Sequence, residues 1–284
     1  MKAIRSALVR LKLRKTEARL RKSRQAIDEL GGPVLEYERL IAPKRKELGE
    51  QIDQLYQGLT CRKLHLFLIF YSSIGAKMVA KASDWTARWG RWMTERGQTE
   101  LGAAMTEHAS EEVGHDQWHT NDVRTLTLLY ERRYGETLNL KRIMSLGSVP
   151  CVARYTDLNE GLAIAAEPGR CYGLLSETEN LAYFAAPRFI GHCATELGFE
   201  IMKGMTFIRG HFASDVHHIR ENIEQMHTYL TRNPESLGAM VAAGEATIDV
   251  YINYLHTAME LARLFDNKAS VRTRIQRVSQ ITPA

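Results

Sequence analysis

The chain has 284 residues, 44% of them hydrophobic and 25% charged, which is typical of a soluble globular protein that buries a core. No segment reaches the roughly 18 consecutive apolar residues that a membrane span needs, and the N-terminus lacks the apolar region of a signal peptide. The four cysteines are scattered and form no CxxC pair, which excludes a zinc knuckle or a disulfide framework. We therefore expect a cytoplasmic protein.

The first thirty residues contain ten basic and three acidic side chains, against a net charge of only +5 for the whole chain. Ile4, Leu8 and Leu11 follow helical spacing there, and Gly31 to Pro33 supply a helix stop followed by a favoured start. The pattern predicts a basic helical extension over residues 1–32. It could dock on the rest of the protein, contact an anionic surface, form a homodimer or bind a partner protein. The absence of interleaved aromatic residues argues against nucleic acid.

Residues 33–267 show almost no strand-like alternation and predict an all-α bundle of seven or more helices. A buried central helix should begin near Leu55, because that segment is apolar around most of its circumference. Turn signals make residues 132–161 the longest predicted irregular stretch, and residues 268–284 form a basic tail. The other predicted helices span 34–58, 84–109, 108–131, 162–185, 188–203, 205–230 and 235–266.

Three side chains with metal-binding groups recur at helical spacing near the C-terminal end. His211, Asp215 and His218 fall within an arc of about 60°, whereas His217 points elsewhere. Two imidazoles and one carboxylate on one helix face make a partial shell for a divalent transition metal. The remaining ligands must come from other helices.

Two earlier segments offer such ligands. Residues 107–122 place metal-binding side chains on a single predicted stripe, and Glu112-x-x-His115 is the unit that carboxylate-bridged di-iron bundles project inward. The second of these segments has two glutamates in an otherwise apolar helix, where an unpaired carboxylate would be very costly. The candidates in these two segments are His108, Glu112, His115, His119, Glu177 and Glu179.

In this order along the chain, the three motifs resemble the haem-oxygenase-like di-iron oxidases, over roughly residues 55–265. The resemblance implies the haem-oxygenase helical fold and one glutamate about thirty to thirty-five residues before His211, a spacing that fits both Glu177 and Glu179. We prefer Glu179 because the segment that follows it, ENLAYF, fits the family pattern. The implied ligands are Glu112, His115, Glu179, His211, Asp215 and His218, with Glu177, His119 and His108 as second choices.

The resemblance also implies two Fe²⁺ ions, O₂ as co-substrate and a small-molecule substrate. The expected reaction is N-oxygenation, desaturation or oxidative C–C cleavage of an amino-acid-like or fatty-acid-like compound, in natural product biosynthesis. Ligands of this kind, without thiolate, suit iron or manganese better than zinc. Arg154, Tyr155 and Arg188 are candidates for holding a substrate carboxylate, and the four tryptophans are expected to pack in the core.

Three alternatives stay open at the level of sequence. A mononuclear iron enzyme of the same fold needs only two histidines and one carboxylate. A non-enzymatic all-α scaffold, recruited through its basic arm, would use the clustered residues structurally. A haem oxygenase would need a proximal histidine, for which His65 is a candidate, although a core or pocket histidine explains His65 better.

Overall fold

The computed structural model describes residues 27–146, 149–164, 167, 169–214 and 216–266, together with residues 18, 22 and 25. All regular elements in these ranges are helices. Most of the predicted arm (1–32) and all of the predicted tail (268–284) lie outside them, so both stay predictions. The helices are α1 Gly32–Leu55, α2 Cys61–Met78, α3 Ala82–Glu95, α4 Thr99–Glu111, α5 His115–Tyr134, α6 Leu140–Met144, α7 Pro150–Ala163, α8 Arg170–Phe184, α9 Ala186–Leu197, α10 Thr206–Ser214, α11 Val216–Arg232 and α12 Leu237–Asp266.

Helix α2 is the central element that the apolar segment after Leu55 predicts. It begins after Thr60, whose side chain accepts a hydrogen bond from the backbone N–H of Lys63, and most of its residues are buried. It packs against α5 on one side and the long C-terminal helix α12 on the other. Gly75 permits this approach, because a β-carbon there would lie 2.4 Å from His119 Nε2 and 2.7 Å from the Tyr254 hydroxyl.

The segment 132–161 is more regular than we predict. It contains α6 and nearly all of α7, and α7 starts with Pro150 in its first turn, where proline has no intrahelical hydrogen bond to lose. The proline is therefore a helix start here, whereas the prediction takes it as a turn signal. The predicted helix 162–185 is also wrong at its beginning, since α7 ends at Ala163 and α8 starts at Arg170.

A buried ion pair ties α1 to α8. Arg45 donates hydrogen bonds to both carboxylate oxygens of Glu177, each at 2.7 Å, and the Tyr37 hydroxyl donates to the same group at 2.9 Å. Arg45 also bonds to Glu38 on its own helix. Burial alone would lower the pKa of the Arg45 guanidinium, but the two carboxylates outweigh burial and raise it. Glu177 is therefore neutralised within the fold.

One helical stretch, Cys61–Glu95, is long and apolar enough to cross a membrane by composition. However, 61% of its most apolar window is buried inside the fold, which is the pattern of a core helix in a soluble protein. The cytoplasmic location stays a prediction.

We predict that Arg45→Met lowers the free energy of unfolding by about 3–5 kcal/mol, because it leaves the Glu177 carboxylate buried without its cation. Urea denaturation measures the change. Arg39→Met is the matched control, because Arg39 pairs with Glu36 on an exposed face of the same helix, where solvent screens such pairs and they contribute little to stability. Equal losses for the two variants would contradict the assigned role of Arg45.

Candidate metal centre

Four side chains from three separate parts of the chain form what we call the inner group: His108, Glu112, Glu179 and His218. Each offers a ligand atom, and the four atoms lie within 4.8 Å of one another. His108 Nε2 lies 3.6 Å from Glu179 Oε1, and His218 Nδ1 lies 3.7 Å from the same oxygen. The group thus joins the ends of α4 and α11 to the middle of α8.

Glu112, His115 and His211 form a second set, the outer group, whose ligand atoms also lie within 4.8 Å of one another. Glu112 belongs to both groups. Its Oε2 lies 2.9 Å from His115 Nδ1, and its Oε1 lies 3.8 Å from His108 Nε2. The two oxygens of one carboxylate therefore face the two groups.

The turn between α4 and α5 places Glu112 and His115. The sequence predicts one continuous stripe from His108 to His119, but α4 ends at Glu111 and Glu112 is its C-terminal cap. Gly114 follows with φ of 86°, a left-handed conformation that favours glycine, and α5 begins at His115. The predicted single stripe is wrong, because this turn separates its members between two helices.

Asp122 holds the helix of His211 against the helix of His115. Its Oδ1 accepts hydrogen bonds from the backbone N–H and hydroxyl of Thr206, at 2.8 and 2.7 Å, and its Oδ2 accepts from the backbone N–H of Phe207 at 2.9 Å. These donors are at the N-terminus of α10, where backbone N–H groups lack helical partners. Asp122 therefore acts as a cap supplied by a different helix, and the sequence analysis missed it.

Trp118 and Gly210 bring α5 and α10 into close contact beside the outer group. The Trp118 ring centroid lies 4.5 Å from that of His115 and 5.6 Å from that of His211. A β-carbon added to Gly210 would lie 2.5 Å from Trp118 Cζ3. The tight approach of these helices therefore depends on a glycine at this position.

A hydrogen bond to one ring nitrogen orients each of two histidines, His211 and His218. His211 Nδ1 lies 3.1 Å from the carbonyl oxygen of Phe207, which can only accept, so Nδ1 donates and Nε2 is left for a ligand bond. His218 Nε2 lies 2.6 Å from Glu111 Oε2, which leaves Nδ1 facing Glu179. Partners of this kind fix the ring orientation of metal-binding histidines.

The electrostatics of the cluster are those of buried acids beside imidazoles. Burial alone would raise the pKa of Glu112, but the hydrogen bond with His115 and the nearby imidazoles lower it overall. Burial alone would lower the pKa of His218, but the carboxylates of Glu179 and Glu111 raise it to about 9. The pKa of His211 is lowered, mainly by burial. A cation bound here would take the place of the His218 proton.

Two buried polar atoms of the inner group indicate that the residues fit a metal ion. Glu179 Oε2 and His218 Nδ1 are both buried and have no hydrogen-bond partner among the described residues. Such atoms are costly unless something coordinates them. Carboxylates and imidazoles also form the donor set that first-row transition metals accept.

A cavity of about 140 Å³ opens beside the cluster. Its wall includes four residues of the two groups, His108, Glu112, Glu179 and His211, so a molecule in the cavity would reach both groups. The rest of the wall is predominantly aliphatic and aromatic, with contributions from α2, α3, α5, α7 to α10 and α12. The aromatic members include Tyr71, Trp89, Tyr155, Phe189, Phe207, Tyr251 and Tyr254.

The structure brings together Glu112, His115, Glu179, His211 and His218 from the implied set, and adds His108, a second choice. Asp215 lies outside the described residues. The other second choices lie elsewhere: Glu177 pairs with Arg45, and the buried His119 stacks on Phe207 at 3.6 Å between ring centroids and lies outside both groups.

The remaining candidates are also placed. His217 is exposed and pairs with Glu221. His65 is buried, and its Nε2 lies 2.9 Å from the carbonyl oxygen of Leu126, away from the cavity, so it is a core histidine as expected. Of the three candidates for a substrate carboxylate, only Tyr155 lines the cavity, since Arg188 pairs with Asp53 at the surface and Arg154 is exposed.

The fold is similar to that of one solved structure, described as a domain of unknown function with a haem oxygenase-like fold from Shewanella denitrificans OS217. The TM-score is 0.68 at 17% sequence identity, and the match covers 84% of this chain and 97% of that one. At this identity the similarity shows the fold alone, and it confirms the predicted haem-oxygenase-like bundle. No protein-family model and no curated protein sequence matches this chain.

We predict that Asp122→Asn weakens metal binding about 10- to 100-fold, as expected when a residue that positions a ligand is lost. An amide must present an N–H₂ group to at least one of the three donors at the start of α10, so His211 loses its support. Titration with Fe²⁺ under anaerobic conditions measures the affinity. Asp157→Asn, at an exposed position of α7, is the control and should bind as the parent protein does. Unchanged affinity in Asp122→Asn would contradict the role.

Proposed function

We propose that this protein is a non-haem di-iron oxidase or oxygenase that uses O₂ to oxidise a small amino-acid-like or fatty-acid-like metabolite. The observation that carries the proposal is the pair of histidine and carboxylate groups that share Glu112 at the wall of an apolar cavity. Two adjacent groups with one common carboxylate favour two ions over one. The cavity supplies a place where a substrate would meet them.

The composition of the groups supports iron. Each combines imidazole and carboxylate ligands, and the four cysteines lie outside both groups. This combination occurs in non-haem iron sites that react with O₂, whereas structural zinc sites favour thiolates. When bound, two ferrous ions would supply the electrons that reduce O₂.

The chain's own residues have distinct tasks in this function. Glu112 holds the two groups together, while Phe207 and Glu111 orient His211 and His218 through their second ring nitrogens. The apolar side chains of the cavity exclude water, which limits side reactions at the metal centre.

We predict that the protein binds two Fe²⁺ ions per chain and that single substitutions remove them unequally. His218→Ala should lose the ion of the inner group and His211→Ala that of the outer group, because each histidine contacts one group only. Glu112→Ala should lose both ions, because both groups use its carboxylate. Anaerobic Fe²⁺ titration with analysis of bound iron measures the stoichiometry.

His217→Ala is the matched control, since His217 neighbours His218 in sequence but points to solvent and pairs with Glu221. It should keep both ions. Iron binding that is unaffected by the Glu112, His211 and His218 substitutions would overturn the proposal in favour of a non-enzymatic scaffold. A single bound ion that needs only one of the groups would instead favour a mononuclear enzyme. Oxygen consumption across a panel of metabolites then identifies the substrate.

A further inference from the structure

The polar side chains in the cavity wall are largely committed to the protein itself. Thr178, Thr247 and Asn159 each donate a hydrogen bond to the carbonyl oxygen four residues earlier, at 3.0, 2.8 and 2.7 Å. The Tyr254 hydroxyl donates to the carbonyl oxygen of Tyr71 at 2.5 Å. Because these donors are already used, they offer little to a ligand. Away from the metal centre, the wall therefore behaves as an apolar surface.

Away from the two metal-binding groups, the described part of this wall also carries no charged side chain. Among the described residues that line the cavity there is no lysine or arginine, and its acidic side chains are the metal-centre glutamates, Glu112 and Glu179. A charged group placed in the apolar part would lose its hydration without gaining a counter-ion, which is strongly unfavourable. The cavity thus favours an uncharged occupant.

Two wall residues have a buried ring nitrogen with no hydrogen-bond partner among the described residues, His119 Nδ1 and Trp89 Nε1. Of these, only the indole nitrogen is a donor in every tautomer and protonation state. Trp89 is 3% exposed, and its indole N–H has no hydrogen-bond partner among the described residues. Leaving a buried donor unpaired is energetically costly. Trp89 lies on α3, a helix that contributes no residue to either metal-binding group. A ligand acceptor would satisfy this N–H from within the cavity.

The size of the cavity limits what fits. A cavity of about 150 Å³ in another protein accommodates benzene, and the cavity here has about 140 Å³. An apolar body of roughly the size of one six-membered ring is therefore suitable.

We propose that the cavity binds an uncharged, apolar part of the substrate, about the size of benzene, whose single hydrogen-bond acceptor is held by the Trp89 N–H. The proposal rests on the proposed function only in treating the occupant as a substrate. Binding itself depends on the cavity and on Trp89, not on the metal ions, so it is tested on metal-free protein.

The test compares anisole with ethylbenzene, two neutral ring compounds of similar size of which only anisole has an acceptor. Calorimetric titration of the full-length, metal-free protein gives both affinities. Anisole should bind about fivefold more tightly, since one added hydrogen bond contributes about 1 kcal/mol. Benzoate should bind about tenfold or more weakly than anisole, because its charge is not compensated.

Trp89→Phe keeps an aromatic ring and removes the donor, so anisole and ethylbenzene should bind this variant equally. Trp92→Phe is the matched control, because Trp92 lies on the same helix but does not line the cavity and instead carries Arg96 over its ring. The preference for anisole should persist there. In the parent protein, ¹⁵N spectra should show the Trp89 indole signal shift with anisole and not with ethylbenzene, a readout that does not depend on folding of the variant.

Three results would each overturn the proposal. These are equal affinities of the parent protein for anisole and ethylbenzene, tighter binding of benzoate than of anisole, and a preference for anisole that persists in Trp89→Phe. Failure of the proposed function looks different. It appears as missing or unaltered iron binding in the Fe²⁺ titration, and it leaves the neutral-ligand titration unaffected.

Discussion

The structure depends on one constraint, which is that carboxylates buried in an apolar helical bundle must be neutralised. Glu177 meets the constraint with a guanidinium and a phenol, and Asp122 meets it with three donors at the start of a helix. Among the described residues, the ion-pair partners of Glu112 and Glu179 are imidazoles, and one Glu179 oxygen has no hydrogen-bond partner there. Groups of the protein thus compensate Glu177 and Asp122 fully, whereas Glu112 and Glu179 leave room for a cation.

Helix α8 carries one glutamate of each kind, the compensated Glu177 and the incompletely compensated Glu179. Glu177 and Glu179 are two residues apart, so their side chains leave the helix about 200° apart. One therefore faces α1 and its Arg45, and the other faces the inner group. Because the ion pair fixes the side of α8 that faces α1, it also determines which residue faces the inner group. The ion pair with Arg45 thus leaves Glu179 as the glutamate of the inner group, a choice that spacing alone does not make.

The sequence predicts the fold class well because an all-α bundle is encoded in local patterns of apolar residues. It also identifies most of the clustered side chains, since histidines and acids in apolar helices are conspicuous. It does not separate His108 from His119, because a continuous helix through Glu112 and His115 places both histidines on the same stripe. Gly114 is the available signal for the turn that breaks this helix. Asp122 could not be found in this way, because its partners at Thr206 and Phe207 are more than eighty residues away.

The contact between Trp118 and Gly210 has a consequence for how the spacing of the outer group is maintained. Gly210 directly precedes His211, and Trp118 follows His115 by three residues on α5. The distance between these two histidines therefore depends on residue 210 having no β-carbon. A methyl group added there would have to displace the Trp118 ring or separate the two helices, and it would do so without altering any candidate ligand. The dimensions of such a centre are thus encoded as much by the smallest residue beside it as by the side chains that define its chemistry.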